Sequence, residues 1–431
     1  MLAQFMTAER AMSGSKIPQS LSRKLWVVGA LYFAEGAPYG FINITLSVYF
    51  RSQGMPLEQI GFLSILGLAW SLKLLWAPLV DRFGRRAAWI VPAQVLCAMC
   101  MALVPYYSVS PAPWGFWVLI GCLCLASATQ DIAIDAYTID LLETKELGIA
   151  NGVRMGAYRV ALIAAGGGLI MLSEAVGWRA SFVGAALLMG VMALVVFCCP
   201  DFQRPRLYPS ASKPQAPQVW RQLVEAVQGV RQLPHVWAVI LFILLFKLGD
   251  SWMGSMVSPF WVDMGFSRTE IGLISGSFGA VATIVGSLVG GCCTSRWGIA
   301  PALFVLGAFQ ALSNLGYWLA AWPGVWRYTT YLASLGESFT GGMGSAAFMA
   351  FLMSLCDKRH SATHYAFYSM LFGLTRSLAG YLGGLSAARF GYEPFFLYTF
   401  LAALPAFALL PWILPVVRQR EAVIEEIAED A

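Results

Sequence analysis

The sequence predicts an all-α membrane protein with twelve transmembrane helices in two pseudo-symmetric six-helix bundles. Three observations predict it. Of 431 residues, 58% are hydrophobic and 12% charged, a balance that soluble domains do not show. Apolar runs of about 20 residues, each long enough for a helix to cross about 30 Å of hydrocarbon, recur along the chain. One long polar interval, residues 200–235, divides those runs into two equal sets.

In chain order, residues 1–24 read as a cytoplasmic segment that lacks the apolar core of a signal peptide. Residues 25–199 hold the first bundle, with runs at 25–50, 59–79, 88–107, 115–141, 150–172 and 180–199. The interval 200–235 begins Pro-rich and ends with Val224, Val227 and Val230 at helical spacing, which reads as a cytoplasmic linker with an interfacial helix. Residues 236–417 hold the second bundle, with runs at 236–262, 270–293, 299–321, 326–354, 364–388 and 394–417, and 418–431 form a cytoplasmic tail. A closed barrel also satisfies backbone groups in lipid, but its strands alternate apolar and polar residues, and these runs do not.

Orientation follows from the basic residues. With the N-terminus inside, roughly 18 of the 28 fall in cytoplasmic segments and about 5 in external ones. Both termini are then cytoplasmic. The net charge of +5 is mostly this asymmetry and implies no nucleic-acid partner. The 9 cysteines lack zinc-ligand spacing and read as small buried hydrophobes. His235, His360 and His364 fall in cytoplasmic segments or at a span end and read as solvated. Neither a metal or cofactor nor an enzymatic residue set is expected. Trp26, Trp76, Trp114, Trp117, Trp178, Trp322, Trp326 and Trp412 lie near span ends, where interfacial tryptophans collect.

The two halves match weakly but in register. Gly54-Met-Pro-Leu-Glu-Gln-Ile60-Gly61 aligns with Gly265-Phe-Ser-Arg-Thr-Glu-Ile271-Gly272, each opening the second span of its half. Asp140, Arg159, Gly166 and Gly167 correspond, at one offset, to Asp357, Arg376, Gly383 and Gly384. Such a duplication places a central site between two bundles that rock against each other. After the second span, Asp81-Arg82-Phe-Gly-Arg85-Arg86 forms a short basic loop; Ser295-Arg296-Trp297-Gly298 keeps fragments of it. Asp81, Arg82, Arg85 and Arg86 read as a cytoplasmic gate, in which the acid meets a helix N-terminus and the arginines meet acids or lipid phosphates.

Charges at bilayer depth carry the functional argument, because each costs roughly 2.5 kcal/mol or more unless it faces protein or water. Asp131 and Asp135 stand one helical turn apart, so both point the same way. Glu35 lies in Glu35-Gly36-Ala37-Pro38-Tyr39-Gly40, where glycines and a proline are expected to interrupt the first span. The seventh span carries the counterpart, Lys247-Leu-Gly249-Asp250-Ser251-Trp252. Lys73, Arg154, Arg159, Glu337 and Arg376 complete the intramembrane set. In one reading these groups pair permanently and hold helices together. In the other, Asp131, Glu35, Asp135, Asp250 and Glu337 couple proton movement to transport. Lys73, Gln130, Tyr137, Tyr158, Arg159, Lys247, Trp252 and Arg376 then line the solute site, the arginines offering planar forks to an anionic group.

The basic loop resembles the signature of the major facilitator superfamily. Glu35-Gly36-Ala37-Pro38, Lys73-Leu-Leu-Trp76-Ala-Pro78-Leu-Val-Asp81-Arg82 and Ser127-Ala-Thr-Gln130-Asp131-Ile-Ala-Ile-Asp135-Ala-Tyr137 resemble its AmpG-type permeases, and the last is shared with acetyl-CoA transporters. The resemblance implies proton-driven import of a bulky polar solute through a bacterial inner membrane, by a protein that works as a monomer. In the best-known members the solute is a cell-wall muropeptide. The chain is shorter than those members and similar in size to the RhtX/FptX group of siderophore permeases, toward which this reading leans. An exporter of the same fold is the alternative; a channel would not saturate, and a membrane enzyme would need a nucleophile that is not evident.

Overall fold

A computed structural model describes residues 21–82, 86–142, 146–198, 234–356 and 361–418, and the described residues are helical throughout, without a strand. In the first half, α1 is Leu21–Ser52, α2 Leu57–Leu72, α3 Ala87–Tyr106 and α4 Trp114–Leu141. The continuous run 147–198 is divided by Gly177, whose φ of 81° no side-chain-bearing residue adopts readily, into α5 (147–176) and α6 (178–198). In the second half, α7 is Val236–Asp263, α8 Arg268–Trp297, α9 Ile299–Ala320, α10 Tyr328–Ser354 and α11 Ser361–Phe390. The last, α12, is Tyr392–Ala408, continued by Leu410–Arg418 after a bend of 51°. Gly298 (φ 82°) and Gly391 (φ 80°) turn α8 into α9 and α11 into α12 as Gly177 turns α5 into α6. By length and apolarity alone, 7 helices among the described residues qualify as membrane spans, or 8 with the bent pair counted as one.

Within the halves α1 packs on α5 and α3 on the 169–198 stretch in the first, and α10 between α8 and α9 in the second, while one apolar cluster runs across both, from Phe41, Tyr49 and Phe182 to Phe260, Trp261 and Phe396. Where the halves cross, backbone also meets backbone. A Cβ added at Gly61 of α2 would stand 2.9 Å from Gly384 Cα of α11, and one at Gly276 of α8 2.5 Å from Gly167 Cα of α5. Four of the glycines matched in the sequence therefore meet across the two crossings, Gly61 with Gly384 and Gly272 with Gly167. Without a hydrophobic drive between helices in lipid, such small-residue approach is what brings them together.

These crossings cluster at the end of the molecule where α1 finishes, here the Arg51 end. Polar ties reinforce them. Arg51 Nε stands 2.6 Å from Asp263 Oδ1, and the Tyr392 hydroxyl donates to Asp263 Oδ2 at 2.6 Å. Arg268 Nη1 donates to the Ser173 carbonyl at 2.7 Å, and the Thr269 N–H donates to the Glu174 carboxylate. Ser267 and Glu270 cap α8 reciprocally, the Ser-x-x-Glu box. At the opposite, Lys24 end, Lys24 and Glu146 pair at 2.8 Å within the first half.

Three expectations change. The first span is not interrupted at Glu35–Gly40; it stays helical through Pro38 and widens to a π turn over Phe41–Thr45. The carbonyl of Ala34, which loses its backbone donor to Pro38, accepts instead from Gln130 Nε2 at 2.7 Å. The break falls in α7, where Lys247 (φ −102°, ψ 9°) separates Val236–Phe246 from Leu248–Asp263. Trp178, expected at an interface, is buried against Tyr49 and Phe182 with the Arg268 guanidinium over its ring. His364 is buried beside Tyr368 rather than solvated, whereas His235 is exposed and His360 lies outside the described residues. All but the last two residues of the 200–235 interval, and both chain ends, also lie outside them.

Candidate transport site

Two groups of charges form inside the helices, one in each half. In the first, Lys73 Nζ stands 3.9 Å from Asp131 Oδ2 and 3.6 Å from Asp135 Oδ2. Arg154 Nη2 lies 3.3 Å from Asp135 Oδ1, its guanidinium over the Tyr32 ring, and the Tyr32 hydroxyl donates to Asp135 at 2.7 Å. Glu35 shares the electrostatic field of Asp131, Asp135, Lys73 and Arg154. Helical spacing put Asp131 and Asp135 on one side of α4, but their surroundings differ. Asp131 is 5% exposed with Oδ1 unpaired, and Glu35 is 8% exposed with Oε2 unpaired, whereas the Asp135 side chain is about a third exposed and fully engaged. The group holds the acids Glu35, Asp131 and Asp135 against the bases Lys73 and Arg154.

The second group is built on the α7 break. Lys247, 3% exposed, donates to Gln310 Oε1 at 2.9 Å, to the Gly341 carbonyl at 3.3 Å and to Asp250 Oδ2 at 3.4 Å. A Cβ at Gly344 would overlap Gln310 Oε1, so the amide that holds Lys247 would have to move aside. Glu337 and Asp250 both face Gly341. Here two acids, Asp250 and Glu337, stand near Lys247, with Arg376 of α11 as a second base in the same cavity.

Between the halves lies a cavity of about 360 Å³, inside the range of small-molecule sites. Its walls include Tyr39 and Asn43 from α1, Lys247 and Asp250 from α7, Glu337 from α10 and Arg376 from α11. The Arg376 guanidinium stands 5.5 Å from the centre of the Tyr39 ring, and Tyr39 in turn packs on Tyr158 and Trp70. A larger cavity, about 620 Å³, opens at the outer rim of the first half near Trp178 and Arg179, away from every buried acid.

Of the residues singled out in the sequence, Lys247, Asp250, Glu337 and Arg376 meet in the central cavity, and Lys73, Glu35, Asp131 and Asp135 gather in the first half. Others have different surroundings. Gln130 ties α4 to α1, Tyr137 is buried in the apolar cluster of Val27, Ile90 and Val196, and Trp252 packs on Phe395 beside the Gly383 crossing. Arg154, not Arg159, holds Asp135. Arg86 is buried and donates to the Val80 carbonyl at 3.1 Å; Arg85 lies outside the described residues. Sequence reasoning missed Tyr32, Tyr39, Asn43 and Gln310. The first three lie three, four and eight residues from Glu35 on α1, a helical periodicity that marks them afterwards.

Helices of membrane-spanning length enclosing a charged cavity between two matched halves define a multi-pass membrane carrier. Comparison with known proteins agrees. The family model described as Major Facilitator Superfamily matches residues 28–363 and again 248–429. The Anhydromuropeptide permease of Escherichia coli K12 is 31% identical over 88% of this chain and 77% of its own length. A Rickettsia conorii protein named as an AmpG transporter is 28% identical, covering 90% of this chain and 96% of its own. Among solved structures, an inward-facing, unoccupied bacterial homolog of the human lysosomal transporter Spinster superposes with a TM-score of 0.73 at 16% identity, covering 94% of this chain and 99% of that one. The chain belongs to the Major Facilitator Superfamily and, within it, to the AmpG-like permeases: a small-molecule transporter of the inner membrane, not an enzyme.

Proposed function

We propose that this protein imports an anhydromuropeptide-type solute into the cytoplasm, coupled to protons, by alternating access of residues 25–199 and 236–417, as a monomer with both termini cytoplasmic. The observation that carries the reading is the first-half group, in which three acids, Glu35, Asp131 and Asp135, stand against two bases, Lys73 and Arg154, whereas in the cavity between the halves Asp250 and Glu337 are matched by Lys247 and Arg376. One proton taken up by Glu35 or Asp131 removes that imbalance, so protonation and solute binding bias the same rocking equilibrium. The fork of Arg376 suits a carboxylate of the solute. The basic-residue bias places the Arg51 end outside, and the glycine crossings and polar ties there fit a carrier open toward the cytoplasm. The muropeptide relatives favour that solute over a siderophore.

The deciding measurement is uptake into proteoliposomes of the purified protein with radiolabelled anhydromuropeptide. Saturable accumulation against a gradient is expected when the lumen is made alkaline, and its collapse is expected with a protonophore. Accumulation unaffected by the pH gradient would remove proton coupling. Accumulation of a ferric siderophore instead would replace the solute. Accumulation by inverted but not right-side-out vesicles would make the protein an exporter.

A further inference from the structure

The second half contains a buried polar file that the solute site does not use. On α9, Gln310, Asn314 and Tyr317 follow one another at helical spacing, each at least nine-tenths buried. Facing them on α10 are Ser334, 2% exposed, and Glu337 one turn further in. The antiparallel register is set by Gln310 against Gly344 and by Gly316 against Ala333, which puts Tyr317 level with Ser334 and Asn314 level with Glu337. The Tyr317 hydroxyl sits beside the Ser334 hydroxyl and the Trp261 indole nitrogen and within the field of Glu337. Yet the Tyr317 hydroxyl, Trp261 Nε1 and Asn314 Oδ1 have no protein hydrogen-bond partner, although all three are buried. Polar groups are rarely left so, and several in one line have the character of a water-holding passage.

Toward the Arg51 end the file reaches the surface. Trp261 stacks on Tyr331 at 5.6 Å, and the Tyr331 hydroxyl donates to Glu270, whose side chain is 30% exposed and pairs with Arg327 at 2.6 Å. Toward the cavity it ends on Glu337, which faces Asp250 and Lys247 of α7, Ser338 of its own helix and Tyr317 of α9. The first-half positions that match Ser334 and Glu337 are apolar. Ile120 and Leu123 stand as far from the start of α4 as Ser334 and Glu337 do from the start of α10, and both are apolar and fully buried.

We infer that this file is a proton-entry route, separate from the solute path, which carries protons from the Glu270–Tyr331 rim through Ser334 and Tyr317 to Glu337 while the crossings at the Arg51 end hold that end shut to solute. Each hydroxyl accepts a proton on one side and releases its own on the other, so both return unchanged and only the Glu337 carboxylate gains a proton. The inference rests on the proton-coupled reading above and assigns the side from which the proton comes.

To test it, Ser334→Ala, Ser334→Thr and Tyr317→Phe are compared with wild type in proteoliposomes, using radiolabelled anhydromuropeptide in two assays: accumulation driven by a pH gradient, and exchange at equal pH. Ser334→Ala and Tyr317→Phe are expected to lose at least tenfold in driven accumulation with exchange within twofold of wild type, and Ser334→Thr, which keeps a hydroxyl, to behave as wild type. Driven accumulation at the wild-type level in both hydroxyl-less variants would overturn the route and leave proton coupling standing. Equal loss of exchange and accumulation would also overturn it, because the residues would then serve structure alone. A wild-type protein indifferent to the pH gradient would overturn the coupling itself and the route with it.

Discussion

The two charge groups lie in matched halves, yet they are solvated differently. In the first half the outer members Asp135, Lys73 and Arg154 are each about a third exposed or more, and only Glu35 and Asp131 are withdrawn. In the second the base is withdrawn and the acids surround it. Lys247, with its ring of acceptors, is a fixed anchor, whereas the acids with an unpaired buried oxygen, Glu35 and Asp131 in the first half and Asp250 in the second, are movable charges. Near-symmetric helices therefore need not share a role. On the proposed reading acids change charge in both halves, and only the second also holds a break in α7 around a lysine.

Replacing a movable charge should have the largest effect. Asp131→Asn keeps shape and volume, so the protein should insert and melt as wild type while driven accumulation falls roughly 100-fold or more, the scale of a lost proton-transfer group. Unchanged accumulation would erase the contrast. Removing the anchor with Lys247→Met should instead unfold: it leaves Asp250, Gln310 and the Gly341 carbonyl without their cation, a loss of roughly 3–5 kcal/mol that thermal melting in detergent would record. If that variant melted like wild type, Lys247 would not be an anchor. At the crossing between the halves, Gly167→Val should cost about tenfold in uptake, corresponding to about 1.4 kcal/mol against the shut Arg51 end. Thiol labelling of a cysteine placed at that end should rise in parallel, and unchanged labelling would count against the crossing as a gate. Arg51→Ala should do least, since an ion pair about a quarter exposed is worth about 0.2–1 kcal/mol. A shift in labelling of at most about fivefold, smaller at high salt, is expected.

Much of this architecture could be read from the chain. Apolar runs marked the helices because lipid leaves a backbone few options, and the matched glycines marked the crossings because only they let main chains touch. What remained hidden depended on rotation about helix axes. Whether Arg154 or Arg159 reaches Asp135 is a difference of five residues on one helix, about half a turn in direction, and no single sequence states which side faces α4. Gln130 was legible in principle: a proline strips Ala34 of its donor, and some side chain must replace it. The break at Lys247 was harder, because its Leu-Gly neighbours are milder breakers than the Gly-Ala-Pro of α1, where the π turn at Phe41–Thr45 absorbs the strain and Thr45 donates to the Ala165 carbonyl at 2.8 Å.

The pairing of Gly61 with Gly384 and of Gly272 with Gly167 has a consequence for assembly. Each partner is contributed by the opposite copy of the same repeat, so the seam is isologous, as at the two-fold axis of a homodimer, but written within one polypeptide. Either repeat alone therefore carries both faces of its own seam, and two detached first halves would own the surfaces needed to clasp one another.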